Sequence, residues 1–182
     1  MIVYHYLNVD IENIQERFTE DGKHRLYLKI PFLNRGNERA LCIIGQNPSA
    51  ANKSIADRTI LYLEKFVYNN LPHYSKIIML NLYSVVDTHK NKNEDAIREE
   101  CEVLFNKIIN DNNDFLIVYG VLTNQKPYYF LERAKELKIK LKDKSVYKID
   151  IGCNYAPHPG NPKILYGNTN YNIVNYDFED IN

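Results

Sequence analysis

Short apolar runs without helical period alternate along this chain with longer segments in which apolar residues recur every three or four positions. The runs at 40–45, 76–83, 114–120 and 146–151 are rich in aliphatic and aromatic residues, and each reads as a buried strand. Between them, 59–68 sets Ile60, Leu63 and Val67 on one stripe before Asn69-Asn70-Leu71-Pro72 ends the segment. Residues 95–109 set Ile97, Cys101, Leu104, Phe105 and Ile108 on another stripe. A third helix is expected over 127–137, with Pro127 suited to its first turn. Upstream, 2–7 and 25–32 alternate enough to predict two strands around an Asp21-Gly22 turn, as an edge hairpin or a cover for the sheet. The polar, tyrosine-rich tail at 166–180 fits an edge strand and is assigned no chemistry.

Strands alternating with helices of this length indicate βαβ units, whose right-handed crossovers place helices on both faces of a sheet. The expected fold is α/β, a three-layer α/β/α sandwich with a mainly parallel central sheet. At 182 residues one domain suffices: an N-terminal lead-in hairpin over 1–39, a core over 40–168 and a tail over 169–182. No internal repeat or low-complexity segment interrupts it.

Composition narrows the class. An apolar fraction of 45% and a charged fraction of 25% are those of a globular chain and exclude a disordered or collagen-like one. No run reaches the length of a membrane span, and residues 1–20 have neither a basic start nor a long apolar centre, so a cytoplasmic protein without membrane partners is expected. Cys42, Cys101 and Cys153 are odd in number and far apart, which predicts reduced thiols rather than a disulfide framework or a zinc site; no metal or cofactor is expected. Lys and Arg total 23, as do Asp and Glu, so tight non-specific duplex binding through a basic face is disfavoured. The lysines between 135 and 144 read as a solvated helix end. Asn, Lys, Ile and Tyr are abundant in the manner of an AT-rich coding sequence, so a single Asn or Tyr carries little information.

Four segments stand where strands end. They are Gly45-Gln46-Asn47-Pro48-Ser49, Asn81, Gly120, and His158-Pro159-Gly160. In an open α/β sheet the carboxyl ends of parallel strands line one crevice, so the order suggests one site built from four strand ends. Gly45 permits a sharp turn and close backbone approach. Asn81 offers a donor and an acceptor, able to read the edge of a base or to cap its own loop. His158, between two prolines, belongs to a rigid loop and is a candidate proton donor, although a lone histidine is more often a surface residue. Asp57 and Thr59 read as a helix N-cap pair, with Asp57 within reach of the pocket mouth.

This ordered set resembles the uracil-DNA glycosylase superfamily. Its members carry a Gly-Gln-Asp-Pro-Tyr or Gly-x-Asn-Pro-Gly motif after the first core strand, as at Gly45 to Ser49. They have an Asn that reads uracil at the end of a second strand, as at Asn81, then an apolar strand ending in Gly, as at Gly120, and a His-Pro-Ser loop, as at His158-Pro159-Gly160. Within that group the chain resembles the domain-of-unknown-function 1643 family, through Asn47-Pro48-Ser49-Ala50, Asp57-Arg58-Thr59, Asn81-Leu82, Gly120 and His158-Pro159, over roughly 24–168. The resemblance implies a flipped-out nucleotide and hydrolysis of an N-glycosidic bond of a modified or deaminated base. In it Asn47 and His158 are catalytic, Asn47 orienting water and His158 donating to the departing base. Gly45, Gln46, Pro48, Ser49, Asn81, Gly120, Pro159 and Gly160 bind the substrate.

Two departures matter. Asn47 replaces the Asp of the most active members, and an amide cannot accept a proton. Ser49 replaces the Tyr that excludes thymine. The loop also runs on as Gly160-Asn161-Pro162-Lys163, where Ile164 or Leu165 would be the wedge, and Phe66 or Tyr83 the base-stacking aromatic. Three readings follow: an N-glycosylase, a non-catalytic module binding a nucleobase, nucleotide or nucleic acid in the same pocket, and a structural domain with a vestigial crevice. Neutral net charge favours a small ligand or a weak DNA contact.

Overall fold

The computed structural model describes residues 2–36, 39–87, 98–167 and 170–181. Among these residues the strands in chain order are β1 (Gln15–Phe18), β2 (Arg25–Pro31), β3 (Ala40–Gly45), β4 (Lys76–Asn81), β5 (Asp114–Ile117), β6 (Asn124–Gln125), β7 (Tyr128–Tyr129), β8 (Ser145–Ile149) and β9 (Ile173–Asn175). Four α-helices accompany them among the described residues: α1 (Arg58–Asn70), α2 (Glu99–Asp111), α3 (Phe130–Lys140) and α4 (Pro162–Tyr166). Seven strands form one sheet in the order β1-β2-β4-β3-β5-β8-β9.

The sheet is parallel at its centre, as expected, and mixed overall. β4, β3, β5 and β8 run parallel at its centre, while β1, β2 and β9 add antiparallel edges. Only the central four are joined by helical crossovers, so only they inherit the parallel direction.

Strand alternation sorts the core into two clusters. Leu41 and Ile43 of β3 share one face with Ile77, Met79 and Leu116, and α1 covers it through Ile60, Leu63, Phe66 and Val67, with Ile164 of α4. Cys42 and Ile44 share the other with Ile78, Leu80, Phe115 and Ile117, covered by Phe105 and Ile109 of α2 and by Phe130, Ala134 and Leu137 of α3. The three-layer α/β/α arrangement follows directly from this period of two. Each large aliphatic side chain so buried contributes about 1.5–3 kcal/mol. Asp57 caps α1 by accepting from Ile60 N at 2.7 Å, as its position suggested.

Three expectations need correction. Residues 2–7 form no strand, contributing only the isolated bridge Val3–Ala56. The partner of β2 is β1, whose residues are almost all exposed, leaving no apolar alternation to read. Pro127 does not open a helix: it lies in the turn of the β6-β7 hairpin, and α3 begins at Phe130, the first residue of the segment that the core buries on a helical period. In α2 the buried stripe is Cys101, Phe105 and Ile109, with Leu104 and Ile108 half-buried; Ile97 lies outside the described residues.

The N-terminal segment is strapped to α1 by a buried pair. His5 Nδ1 and Glu64 Oε1 are 2.5 Å apart with both side chains fully buried, His5 Nε2 bonds Asn52 O at 2.9 Å, and Tyr6 N donates to Glu64 Oε2 at 2.8 Å. Burial pulls the His5 pKa down, but the hydrogen bonds to Glu64 and Asn52 and the Glu64 charge outweigh it and hold it above the ordinary value. Cys42, Cys101 and Cys153 are free thiols, and burial pushes Cys42 up to about 12. Among the described residues no helix is long and apolar enough to cross a membrane.

Candidate functional site

The register of the central strands brings the four singled-out segments together. Gly45 pairs with Asn81 across β3 and β4, and Ile44 pairs with Ile117 across β3 and β5. Beyond β5 the chain continues to Gly120, whose N–H donates to Ala156 O at 2.9 Å and so fastens the His158 loop to the same sheet end. Between these ends lies a cavity of about 430 Å³, lined by Gly45, Gln46, Asn47, Pro48, Ser49, Asn81, Gly120 and His158. Pro159 and Gly160, expected among the binding residues, are not part of its wall. Pro159 is buried, and Gly160 acts through the His158 imidazole.

Two glycines allow the close packing. A Cβ on Gly45 would stand 3.0 Å from Asn81 Nδ2, so the amide of Asn81 lies directly over the Gly45 backbone. Gly120 has φ of +76°, and a Cβ there would stand 3.1 Å from His158 Cβ. The chain thus turns back toward the His158 loop where a larger residue would push it away.

Within the first motif, roles divide. Gln46 Nε2 donates to Tyr119 O at 2.7 Å and Val121 O at 3.3 Å, a strut joining the ends of β3 and β5. Ser49 Oγ accepts from Ala51 N at 3.2 Å and shapes the turn. Asn47 Nδ2 reaches Val85 O at 3.5 Å, whereas its Oδ1 is buried without a hydrogen-bond partner among the described residues. An unpaired buried acceptor beside a cavity is a place for a donor from water or ligand.

His158 is exposed at the cavity mouth. Gly160 N donates to its Nδ1 at 2.9 Å. Accepting that bond occupies the Nδ1 lone pair, so the neutral ring carries its proton on Nε2 and can donate from there.

Two charged wall residues were not foreseen. Arg25, the first residue of β2, is 3% exposed, with Nη2 donating to Asn81 Oδ1 at 3.1 Å and Nη1 to Ala51 O at 3.2 Å. Burial pushes its pKa down to about 10, while the charges of Asp57 and Glu16 act upward, so it remains a cation at neutral pH. Asp87 is also 3% exposed, and its Oδ2 accepts from Tyr128 OH at 2.6 Å. Burial, then the Asp87 bond and charge, drive the Tyr128 hydroxyl far above its ordinary range, with a hydrogen bond from Asn47 opposing them. Asn47, Tyr128 and Asp87 thus form one polar chain at the cavity wall. The one sequence signal for either residue was a charge at the margin of an apolar run, which surface residues share. Asp57 and Thr59 both reach the cavity, but of the expected cap pair only Asp57 caps α1; Thr59 lies within the helix.

The proposed aromatics do not reach it. Phe66 is buried in the α1 face of the core, stacked on Tyr62. Tyr83 accepts from Tyr129 N at 2.8 Å and packs edge-on against Tyr128 and Phe130. Ile164 is core, which leaves Leu165, 53% exposed on α4, as the one free apolar side chain of the pair. Among the described residues no group of three or more His, Cys, Asp or Glu could hold a metal ion.

No curated protein and no solved structure matches the chain. A family model described as protein of unknown function (DUF1643) matches residues 25–162. That span begins at Arg25 and holds every residue of the cavity wall, from Arg25 to His158. The shared unit therefore includes the whole crevice, and the chain belongs to the DUF1643 family.

Proposed function

We propose that the chain is a uracil-DNA glycosylase-like domain that holds a nucleobase in this cavity and hydrolyses the N-glycosidic bond of a modified or deaminated base. The observation that carries the reading is the meeting of Gly45 to Ser49, Asn81, Gly120 and His158 around one cavity of about 430 Å³. A volume of that size falls within the range of roughly 300–1,000 Å³ usual for small-ligand sites.

The chemistry assigns each group a step. The bond from the sugar C1′ to the base nitrogen breaks, and its electron pair leaves with the base. Asn81 engages the base edge, and His158 donates from Nε2 to the oxygen that takes up the charge. Water adds to C1′ and must lose a proton. Asn47 Oδ1, buried and without a partner among the described residues, orients that water, and the Asp87 carboxylate on the same wall accepts the proton that an amide cannot. Among the described residues Arg25 is the one Lys or Arg on the wall, and it is buried. A wall with no exposed cation among those residues favours a base or nucleoside over a long stretch of phosphate backbone.

The test is base release from nucleosides and from single- and double-stranded oligonucleotides carrying uracil, hypoxanthine or a mismatch. Release by wild type that is lost in His158→Ala and Asn47→Ala supports the reading. The amide at Asn47 also favours a second reading, a module that binds a nucleobase or nucleotide without cleaving it. Saturable binding of free bases with no release from any substrate would establish that one instead.

A further inference from the structure

Arg25 stands outside the four segments that suggested a site, yet it contacts the residue best placed to read a ligand. The antiparallel register that pairs Leu28 with Met79 sets the start of β2 beside the end of β4, where Asn81 lies. The Arg25 backbone is held there by its N–H to Ser84 O at 2.9 Å. Arg25 is 3% exposed, and the hydrogen bonds of its guanidinium among the described residues go to two neutral oxygens, Ala51 O and Asn81 Oδ1. Its Nε is buried with no partner among the described residues. A buried cation whose hydrogen bonds go to neutral acceptors, with Asp57 and Glu16 helping only through their charge, is costly, and it is retained here against the cavity.

The contact to Asn81 has a consequence for recognition. An Asn amide offers an oxygen and an NH2 group that are nearly alike in shape, and a half-turn of the amide exchanges acceptor and donor. A guanidinium has donors and no acceptor, so it tolerates only the oxygen. Arg25 therefore holds Oδ1 on its own side and leaves Nδ2 over Gly45, where a Cβ would stand 3.0 Å away. A half-turn would bring N–H against N–H and leave a buried cation short of an acceptor.

We propose that Arg25 is a positioning residue that locks the Asn81 amide, so that the cavity selects a heterocycle presenting a carbonyl beside a ring N–H over one presenting an amino group beside a bare ring nitrogen. The carbonyl accepts from Nδ2, and the ring N–H donates to the lone pair of Oδ1 that Arg25 leaves unused. An amino-bearing edge would meet a donor with a donor and an acceptor with an acceptor. Uracil and hypoxanthine belong to the first class, and cytosine and adenine to the second. This rests on the nucleobase reading of the cavity but not on any bond being cleaved.

Calorimetric titration of the full chain with the four free bases tests it. Wild type is expected to bind uracil and hypoxanthine about tenfold to a hundredfold more tightly than cytosine and adenine. Arg25→Met, checked for folding by circular dichroism, is expected to lose most of that ratio. Should Arg25→Met not fold, Arg25→Lys keeps the charge without the planar fork that reaches both oxygens, and its ratio should fall as well. A merely structural Arg25 would change affinity for all four bases together and leave the ratio intact. A folded Arg25 variant with an unchanged ratio, or a wild type that binds both classes equally, would overturn the lock and leave the nucleobase reading standing. A wild type that binds none of the four would instead remove the nucleobase reading, and the lock with it.

Discussion

The Gly160 amide donates to His158 Nδ1 across 2.9 Å, and this bond fixes which imidazole nitrogen faces a ligand as a donor. A Cβ on Gly160 would stand 2.9 Å from that same nitrogen, closer than such atoms approach. Gly160→Ala is therefore expected to rotate the ring out of place while leaving the sheet untouched. Base release should drop toward the level of His158→Ala, about 10²-fold below wild type, with little change in the urea midpoint. Parallel activity and urea titrations measure both quantities on the same preparation.

Gly45→Ala probes the opposite wall. Its methyl group would stand 3.0 Å from Asn81 Nδ2, on the side away from Arg25. The amide must shift, and a ligand carbonyl then loses its donor. Affinity for uracil is expected to fall by about tenfold, the effect of one hydrogen bond, while the fold persists. Calorimetric titration of the variant with uracil checks this, and unchanged affinity would show that Asn81 does not touch the base.

Much of this was legible along the chain, and the illegible part has a physical cause. β3 and β4 announced themselves because both faces of a central parallel strand are buried, so Ala40 to Gly45 and Lys76 to Leu80 are almost uniformly apolar. Gly45, Asn81, Gly120 and His158 were legible for the same reason, as polar or flexible residues closing such runs or the loop beyond them. β1 was hidden because an exposed edge strand pairs through its backbone and imposes no pattern on its side chains. Arg25 and Asp87 were hidden because a charge beside an apolar run usually faces water. Only the packing of β2 against β4, and of Tyr128 against the loop after β4, puts these two charges inside.

The strap between His5 and Glu64 makes stability depend on pH. The folded-state pKa of His5 lies above its ordinary value of 6.5. Its pairing with Glu64 therefore contributes fully below that ordinary value and is lost as pH rises through the higher folded-state value. Urea unfolding midpoints of wild type should exceed those of Glu64→Gln most at about pH 6, and the gap should narrow toward about pH 9. At the lower pH the substitution should cost about 3–5 kcal/mol, since it leaves one member of a buried pair without its partner. A gap that is constant across this window would mean that His5 does not carry the proton in the folded protein.

Asp87 supplies the sharpest test of whether the cavity performs hydrolysis. Asn47 can orient water through Oδ1, but the proton that water loses needs an acceptor, and Asp87 is a carboxylate of the same wall, joined to Asn47 through Tyr128. Asp87→Asn keeps the size of the side chain and an oxygen for the Tyr128 hydroxyl, so the chain should fold. Base release should slow by about 10²- to 10⁴-fold with KM little changed, because a base acts on the water and not on substrate binding. Tyr128→Phe removes one donor to the carboxylate and should cost about 0.5–1.5 kcal/mol of stability, the net worth of one hydrogen bond, with a smaller loss of rate. A variant series in which Asp87→Asn raises KM and spares kcat would make Asp87 a binding group. The water would then be activated by orientation alone, as an amide at position 47 permits, and the enzyme would be slow for that reason.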